Sequence, residues 1–264
     1  MSALCKIEQR DGRGTITLAR PDIHNALNGQ LIDELHQAIE TFAADPQVRF
    51  IVLAGEGRSF CAGADLNWMK SQATADAQQS KAEVMRLVRL LDAMVAAPKP
   101  VIARVHGAAL GGGMGLVAAC DLVAAAPRAQ FGLTEVRLGI VPAMIFPYLM
   151  RRCVRHKLLE AALTGERFRA DSALELGLVN AIDEDVDRLI DSWSESLMAC
   201  GPRALGLVKQ LYAEVPRVDA ETARELTASM IADARRSSEG QEGMRAFLER
   251  RKPAWHPERA ESND

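Results

Sequence analysis

Ser59-Phe60-Cys61-Ala62-Gly63-Ala64-Asp65-Leu66 is a run of small residues that follows the apolar, β-branched stretch Phe50-Ile51-Val52-Leu53-Ala54 and precedes a helix-like pattern. The same order recurs where Pro100-Val101-Ile102-Ala103-Arg104-Val105 leads into Gly107-Ala108-Ala109-Leu110-Gly111-Gly112-Gly113 and a second helix-like pattern. Both stretches read as strand-to-helix corners at a sheet edge. A single glycine-bearing corner says little, because glycine there ordinarily serves a positive φ or close helix packing. A pair says more. Small residues leave main-chain N–H groups bare, and donors from two separate corners can converge on one oxygen that gains negative charge during a reaction, the geometry of an oxyanion hole.

Outward from the corners, the chain alternates strand and helix. Residues 4–19 read as a hairpin about Asp11-Gly12-Arg13-Gly14. Asn28 is a candidate N-cap for a helix to Ala44 with Leu31, Leu35, Ile39 and Phe42 on one face. After the first corner comes a polar, mobile-looking segment from Ser71 to Ser80, then a helix through Val95 whose apolar stripe mixes Met85, Leu87, Val88, Leu91 and Val95. Strand 100–105, helix 111–120 and strand 121–126 follow. From Pro142 helices dominate, at about 144–153, 155–164, 170–177, 185–200, 202–214, 220–236 and 238–251 with a short strand at 178–182, and the tail from Pro253 reads as frayed. This spacing indicates mixed α/β packing without telling a spiral from a doubly wound sheet.

Bulk properties narrow the classes. The 264 residues suffice for one large domain or a domain with an appendage. The hydrophobic share of 48% and charged share of 25% are those of an ordinary globular chain. Thirty-two basic residues against 35 acidic ones, a net charge of -3, give no electrostatic footprint for nucleic acid. Met1 to Arg13 carries both charge signs and no leader-like apolar run, so the expectation is a cytoplasmic protein. No stretch reads as a membrane span, the apolar run from Gly113 to Ala126 being interrupted by Asp121. The five cysteines, Cys5, Cys61, Cys120, Cys153 and Cys200, are widely spaced and suggest reduced thiols rather than a metal site. Cys61, inside the first corner, is weighed as a nucleophile against a small buried side chain.

The segments FCAGADL, VHGAALGGG and Phe131-Gly132-Leu133-Thr134-Glu135-Val136-Arg137-Leu138-Gly139-Ile140-Val141-Pro142 resemble, in order and spacing, the enoyl-CoA hydratase/isomerase (crotonase) family. The likeness runs from Arg20-Pro21-Asp22-Ile23-His24-Asn25-Ala26-Leu27-Asn28 to Glu242 through Pro253. It implies an α/β fold, a crotonase-like spiral of strand-strand-helix units with a helical C-terminal oligomerisation region. The core with the acyl-CoA site would span 1–200, and 201–264 would pack on neighbouring subunits of a homotrimer or dimer of trimers. The resemblance further implies a small-molecule acyl-CoA substrate with no permanently bound cofactor, no metal and no nucleic-acid or membrane partner. Coenzyme A would enter as part of the thioester.

Residue by residue, the likeness makes the N–H groups of Ala64 and Gly112 the oxyanion donors and Glu135 the acid–base residue. It assigns the backbone of Ala62, Gly63, Ala64, Asp65 and Leu66 to the adenine end of coenzyme A, with Asp65 fixing the turn. Such an arrangement suits water addition or a proton shift at an α,β-unsaturated thioester, because both pass through an enolate charged on the carbonyl oxygen. The chain departs from the family at Gly115. Hydratases with two catalytic glutamates carry the first one there, so a Δ3,Δ2-enoyl-CoA isomerase with one carboxylate, or a silent acyl-CoA binder, stays open beside a hydro-lyase. Glutamate at 115 is expected to raise crotonyl-CoA hydration if the missing carboxylate is what limits it.

A second departure is Pro142-Ala143-Met144-Ile145-Phe146-Pro147, with bulk where the family commonly has glycine, so a reshaped acyl pocket is expected. Asn67-Trp68-Met69-Lys70 and the stretch after Glu135 are similar to the methylglutaconyl-CoA and carboxygeranoyl-CoA hydratase branch, which implies leucine or isoprenoid breakdown beside the fatty acid metabolism of the wider family. A methylglutaconyl group carries a distal carboxylate, and Arg104, His106 and Arg137 are the candidate partners. Each also has a structural reading: an outward strand residue, a satisfied histidine and a surface ion pair. Asp121 is expected to fix backbone. Arg250, Arg251 and Lys252 are open between CoA phosphates and a solvated charge run, Phe247 lies open to the pantetheine, and Trp68 is either a lid anchor or core.

Overall fold

The computed structural model describes residues 3–72 and 76–257. Its first unit is the expected hairpin, β1 (Cys5–Arg10) and β2 (Arg13–Leu18), paired from Cys5 opposite Leu18 to Arg10 opposite Arg13. Asp11 and Gly12 turn it at φ 50° and 77°, the left-handed pair that matches strand twist in a two-residue hairpin. After a short 3₁₀ turn at Pro21–Ile23, the helix α1 (Gly29–Ala44) opens where expected, the Asn28 side chain accepting from the Leu31 N–H at 2.9 Å. Leu31, Leu35, Ile39 and Phe42 are buried, as their spacing requires.

The corners differ from the simple strand-to-helix reading. β3 (Phe50–Gly55) is followed by a separate three-residue strand, β4 (Ser59–Cys61), before helices α2 (Leu66–Gln72) and α3 (Ala77–Ala96). β5 (Val101–Val105) is likewise followed by β6 (Ala108–Leu110) and α4 (Gly112–Ala119). A third unit comprises β7 (Leu122–Ala125), β8 (Gln130–Gly132), a 3₁₀ turn at Thr134–Leu138, α5 (Phe146–Arg152) and α6 (Arg155–Thr164). The first strand of each unit joins one sheet and the second joins another. With β9 (Arg167–Arg169), α7 (Ala170–Glu175) and β10 (Ala181–Ile182), the sheets run β1-β2-β3-β5-β7-β10 and β4-β6-β8-β9. Pairing is parallel apart from the β1–β2 hairpin and the β8–β9 pair. The fold is thus the expected spiral of strand-strand-helix units, and the corners sit after the second strand of each.

Alternation in the large sheet explains its apolar sequence. Ile51, Leu53, Val101, Ala103 and Val123 point into the main core with α1, α3 and α4, while Phe50, Val52, Ile102 and Ala124 pack under α8 (Val186–Ala199). Buried on both faces, these parallel strands have no polar period. The helix α3 starts earlier than the sequence reading, because Asp76 and Gln79 form a capping box that makes Ala77–Ser80 helical. Ser71 and Gln72 end α2, and 73–75 lie outside the described residues. The buried stripe of α3 is Leu87, Leu90, Leu91 and Met94, with Met85 exposed.

Three helices complete the chain: α9 (Pro202–Glu214), α10 (Ala220–Arg236) and α11 (Ser238–Leu248). Lys209 ties α9 to the core through Asp121 at 2.7 Å and the Lys99 carbonyl at 2.9 Å. Asp121 also accepts from the Val101 N–H at 2.7 Å, the backbone role expected of it. Pro253–Pro257 is anchored rather than frayed: the Trp255 indole donates to the Ala199 carbonyl at 3.1 Å and the Ala254 N–H to Glu242 at 2.9 Å. Residues 258–264 lie outside the described chain. No helix among the described residues is long and apolar enough to cross a membrane.

The loop that aligns the first unit turns on Asn25, fully buried at φ 56°. It accepts from the Arg20 N–H at 2.9 Å and donates to the carbonyls of Glu56 and Ser59 at 2.9 and 2.8 Å. Asn25→Ala would strand those groups in the interior, so chemical denaturation should report a loss of roughly 2–4 kcal/mol; a loss under 1 kcal/mol would show that the loop holds itself.

Candidate active site

The two corners meet backbone to backbone. A Cβ on Gly113 would lie 2.2 Å from the Cys61 carbonyl oxygen, so only glycine admits that approach. Gly63, at φ 95°, faces the other corner: a Cβ there would be 3.0 Å from the Leu110 carbonyl oxygen and 3.8 Å from the Gly112 nitrogen. Leu27 clamps the first corner from below, donating to the Gly63 carbonyl at 2.7 Å and accepting from the Asp65 N–H at 2.8 Å. That bridge skips Ala64. The N–H groups of Ala64 and Gly112 donate to no acceptor among the described residues. Gly112 is the first residue of α4, so its free donor sits at the positive end of a helix.

Asp65 is a fixing residue, as expected. Its Oδ1 accepts from the Asn67 N–H at 2.8 Å and its Oδ2 from Arg20 at 2.9 Å. Burial would raise its pKa, but the bonds from Asn67, Arg20 and Trp68 outweigh it and hold the carboxyl below the usual range. Arg20 bonds the Ala26 carbonyl as well, at 2.5 Å. Among the five residues assigned to the adenine end, Ala62 and Asp65 already spend their N–H groups on the His24 and Leu27 carbonyls. Any contact from those two with a nucleotide would therefore use a carbonyl.

Glu135 enters from the 3₁₀ turn Thr134–Leu138, closed by Gly139 in the left-handed region. Its carboxylate lies over the second corner, Oε1 being 3.2 Å from where a Cβ on Gly111 would stand. Oε2 is buried with no hydrogen-bond partner. Burial raises the Glu135 pKa, opposed only by its own N–H, and no other ionisable group among the described residues contributes. An unpaired buried acceptor is costly in a folded protein and is found where chemistry needs it. The structure therefore brings Ala64, Gly112 and Glu135 into one place.

The other candidates divide. Arg104 forms a two-pronged pair with Asp187 at 2.7 and 2.6 Å, so its charge is spent. His106 Nε2 donates to the Gly57 carbonyl at 2.9 Å and burial lowers its pKa, but its Nδ1 is buried without a partner, so the histidine is only half satisfied. Arg137 is exposed and has no ion pair among the described residues. Cys61 is no nucleophile: burial pushes its thiol up to about 12. Arg251 is held by Glu242 and Glu249 at 2.7 and 2.6 Å, while Phe247 is 83% exposed. Trp68 is half-buried against the main core.

Position 115 is closed to a side chain. A Cβ on Gly115 would fall 2.3 Å from Ile145 Cγ2 and 3.0 Å from Ile145 Cβ. Glutamate cannot simply be added there. Sequence reasoning noticed the bulk at 145 and the missing carboxylate at 115 without connecting them, because a contact across 30 residues leaves no local signal. It also gave no role to Arg20, Asn25 or Leu27, although all three lie in a stretch that carries the resemblance.

Comparison with known proteins gives the family. The family model described as "Enoyl-CoA hydratase/isomerase" matches residues 8–258. The chain belongs to that family. The enoyl-CoA hydratase of Shewanella pealeana superimposes with a TM-score of 0.93 at 37% identity, covering 96% of each chain. Crotonyl-CoA hydratase of Syntrophomonas wolfei is 33% identical over 250 residues, 93% of this chain and 95% of the relative. Short-chain-enoyl-CoA hydratase of Clostridium acetobutylicum is 32% identical over 255 residues, 93% and 95% of the two chains. This member of the enoyl-CoA hydratase/isomerase family is an enzyme with hydratases prominent among its relatives.

The raised pKa of Glu135 has a consequence for stability. The neutral carboxyl is favoured in the fold, so its contribution is complete below the ordinary value of 4.5 and is lost as pH rises through the folded value. Glu135→Gln should melt with the wild type under acidic conditions and increasingly above it toward neutrality. Thermal melts across pH check this, and a difference that shrinks with rising pH would contradict the buried state.

Proposed function

We propose that this enzyme adds water to an α,β-unsaturated acyl-CoA thioester. The observation that carries the reading is the half-buried Glu135 carboxylate, with Oε2 buried and unpartnered, lying against a corner whose next N–H, that of Gly112, has no acceptor among the described residues. In this reading the Ala64 and Gly112 amides hold the thioester carbonyl oxygen. Glu135 takes a proton from water as the water oxygen bonds to Cβ, and electrons of the double bond pass to the carbonyl oxygen as an enolate. Return of the proton to Cα completes the hydration. Preorganised donors of this kind are worth roughly 2.7–4 kcal/mol each in hydrolases. The names of the relatives, crotonyl-CoA hydratase and short-chain-enoyl-CoA hydratase among them, support hydration over the isomerase alternative.

The finer reading, a methylglutaconyl-type substrate in leucine breakdown, rests on Arg137. Of the three cations considered, it alone keeps its charge unspent, and it lines a cavity of about 590 Å³ with Thr134, Leu138, Gly165, Glu166 and Arg167. On the other side of the 3₁₀ turn, Val136, Val141, Phe146 and Met150 line an apolar groove of about 640 Å³ that suits an uncharged tail. The C-terminal region remains a proposed oligomerisation surface. Support comes from Val208, Tyr212, Ile231, Phe247 and Leu248, which expose between 50% and 83% of their area.

Glu135→Gln should lower kcat by roughly 10²–10⁴-fold while acyl-CoA affinity is retained. Turnover of crotonyl-CoA in ¹⁸O-water should place label in the product; a shifted double bond without label would mean isomerisation. Arg137→Gln should raise KM for 3-methylglutaconyl-CoA and leave that for crotonyl-CoA unchanged. An equal effect on both substrates would remove Arg137 from recognition of a distal carboxylate.

A further inference from the structure

We infer that Ile145 occupies the space a second acid–base side chain would need, so that the site is built to run on the Glu135 carboxylate alone. This rests on the hydration reading above. Gly111 is the N-cap of α4 and Gly115 lies one turn along the helix, its N–H donating to the Gly111 carbonyl at 3.2 Å. Glu135 covers the first: a Cβ on Gly111 would stand 3.2 Å from Oε1. Ile145 covers the second, 2.3 Å from where a Cβ on Gly115 would stand, with Leu91 Cδ1 at 3.5 Å on its other side. Cβ bonds in a helix tilt toward its N-terminus, so a longer side chain at 115 would head for Gly111 and the Glu135 carboxylate. Ile145 is 1% exposed and branched at Cβ, which leaves it few rotamers in which to move aside. Volume absent at 115 is supplied at 145, and it is apolar.

Chemistry follows from that exchange. With two carboxylates, one can take a proton from water while the other gives one to Cα. With one, Glu135 must do both in turn. It accepts a proton from the water whose oxygen bonds to Cβ, the π electrons move onto the thioester oxygen, and the enolate then takes the same proton from Glu135 at Cα. Glu135 ends as the carboxylate it began as, and the elements of one water molecule are added on one face. Activity then requires a single ionised group. The profile of kcat/KM against pH should rise as Glu135 ionises and stay level, with no descending limb from a carboxylic acid that has to remain protonated.

The test uses four full-length proteins: wild type, Gly115→Glu, Ile145→Gly and the double variant, measured by thermal unfolding and by crotonyl-CoA hydration across pH. Gly115→Glu alone should melt roughly 5 °C or more below the wild type and lose activity about tenfold or more. Adding Ile145→Gly should recover at least half of that melting loss and give the hydration profile a descending limb that the wild type lacks. Gly115→Glu melting with the wild type would overturn the shared space. A folded double variant that keeps a single-limb profile would overturn the assignment of position 145 as the place of a second acid–base group. A wild type that hydrates no enoyl-CoA, while still binding acyl-CoA, would sink the hydration reading and the single-carboxylate mechanism with it; the melting cycle would still decide whether 115 and 145 compete for one space.

Discussion

The contact between main chains of two successive units governs this molecule. Cys61 brings its carbonyl against Gly113 at a separation no side chain could share, and Gly63, at φ 95°, faces the Leu110 carbonyl and the Gly112 nitrogen. Backbone packed on backbone fixes the relative position of two N–H groups more tightly than side chains can, since main chain has no rotamers to lose. The surrounding structure serves that contact. Parallel pairing of β4 with β6 sets the two corners side by side, and Leu27 clamps the first of them. The Arg20–Asp65 pair and buried Asn25 hold the loop that carries Leu27.

Against this rigid floor, Glu135 is an energetic liability. A carboxylate with one oxygen buried and unpartnered opposes folding at neutral pH, and no cation among the described residues pairs with it. Asp65, a few residues from the donors, shows the opposite treatment: bonds from Asn67, Arg20 and Trp68 keep it ionised and fixed. Two carboxylates in neighbouring segments thus have contrary environments, one arranged for structure and one left reactive. That contrast argues for function at Glu135 more strongly than proximity does, because folding alone would select a partner for it or replace it.

Much of this was legible in the chain before its folding was known. The α1 cap at Asn28 and the two-residue hairpin turn are local chemistry, and the sequence carries them openly. Ala64, Gly112 and Glu135 were legible through motif resemblance rather than through physics, since no spacing rule brings position 135 over position 111. The strands β4 and β6 escaped because three residues are too few to show a period. Arg104 read as an available cation because its partner, Asp187, lies 83 residues away. The tail at Pro253 read as frayed for the same reason: the anchor of Trp255 is the distant Ala199 carbonyl.

The pairing of Gly115 with Ile145 shows why a lost catalytic side chain need not mark decay. Loss of a carboxylate from a buried wall would leave either a cavity, destabilising in proportion to its volume, or water beside a reactive carboxyl. Ile145, 1% exposed, stands where a side chain at 115 would go. A chain drifting out of use has no reason to fill that space with a branched side chain while leaving Glu135 unpaired and both amides bare. An apolar side chain there adds no second charge beside Glu135, whose pKa burial raises, as suits a lone acid–base group that must give back the proton it takes. The change at 115 and the change at 145 are therefore one event in physical terms, a wall rebuilt around one proton carrier.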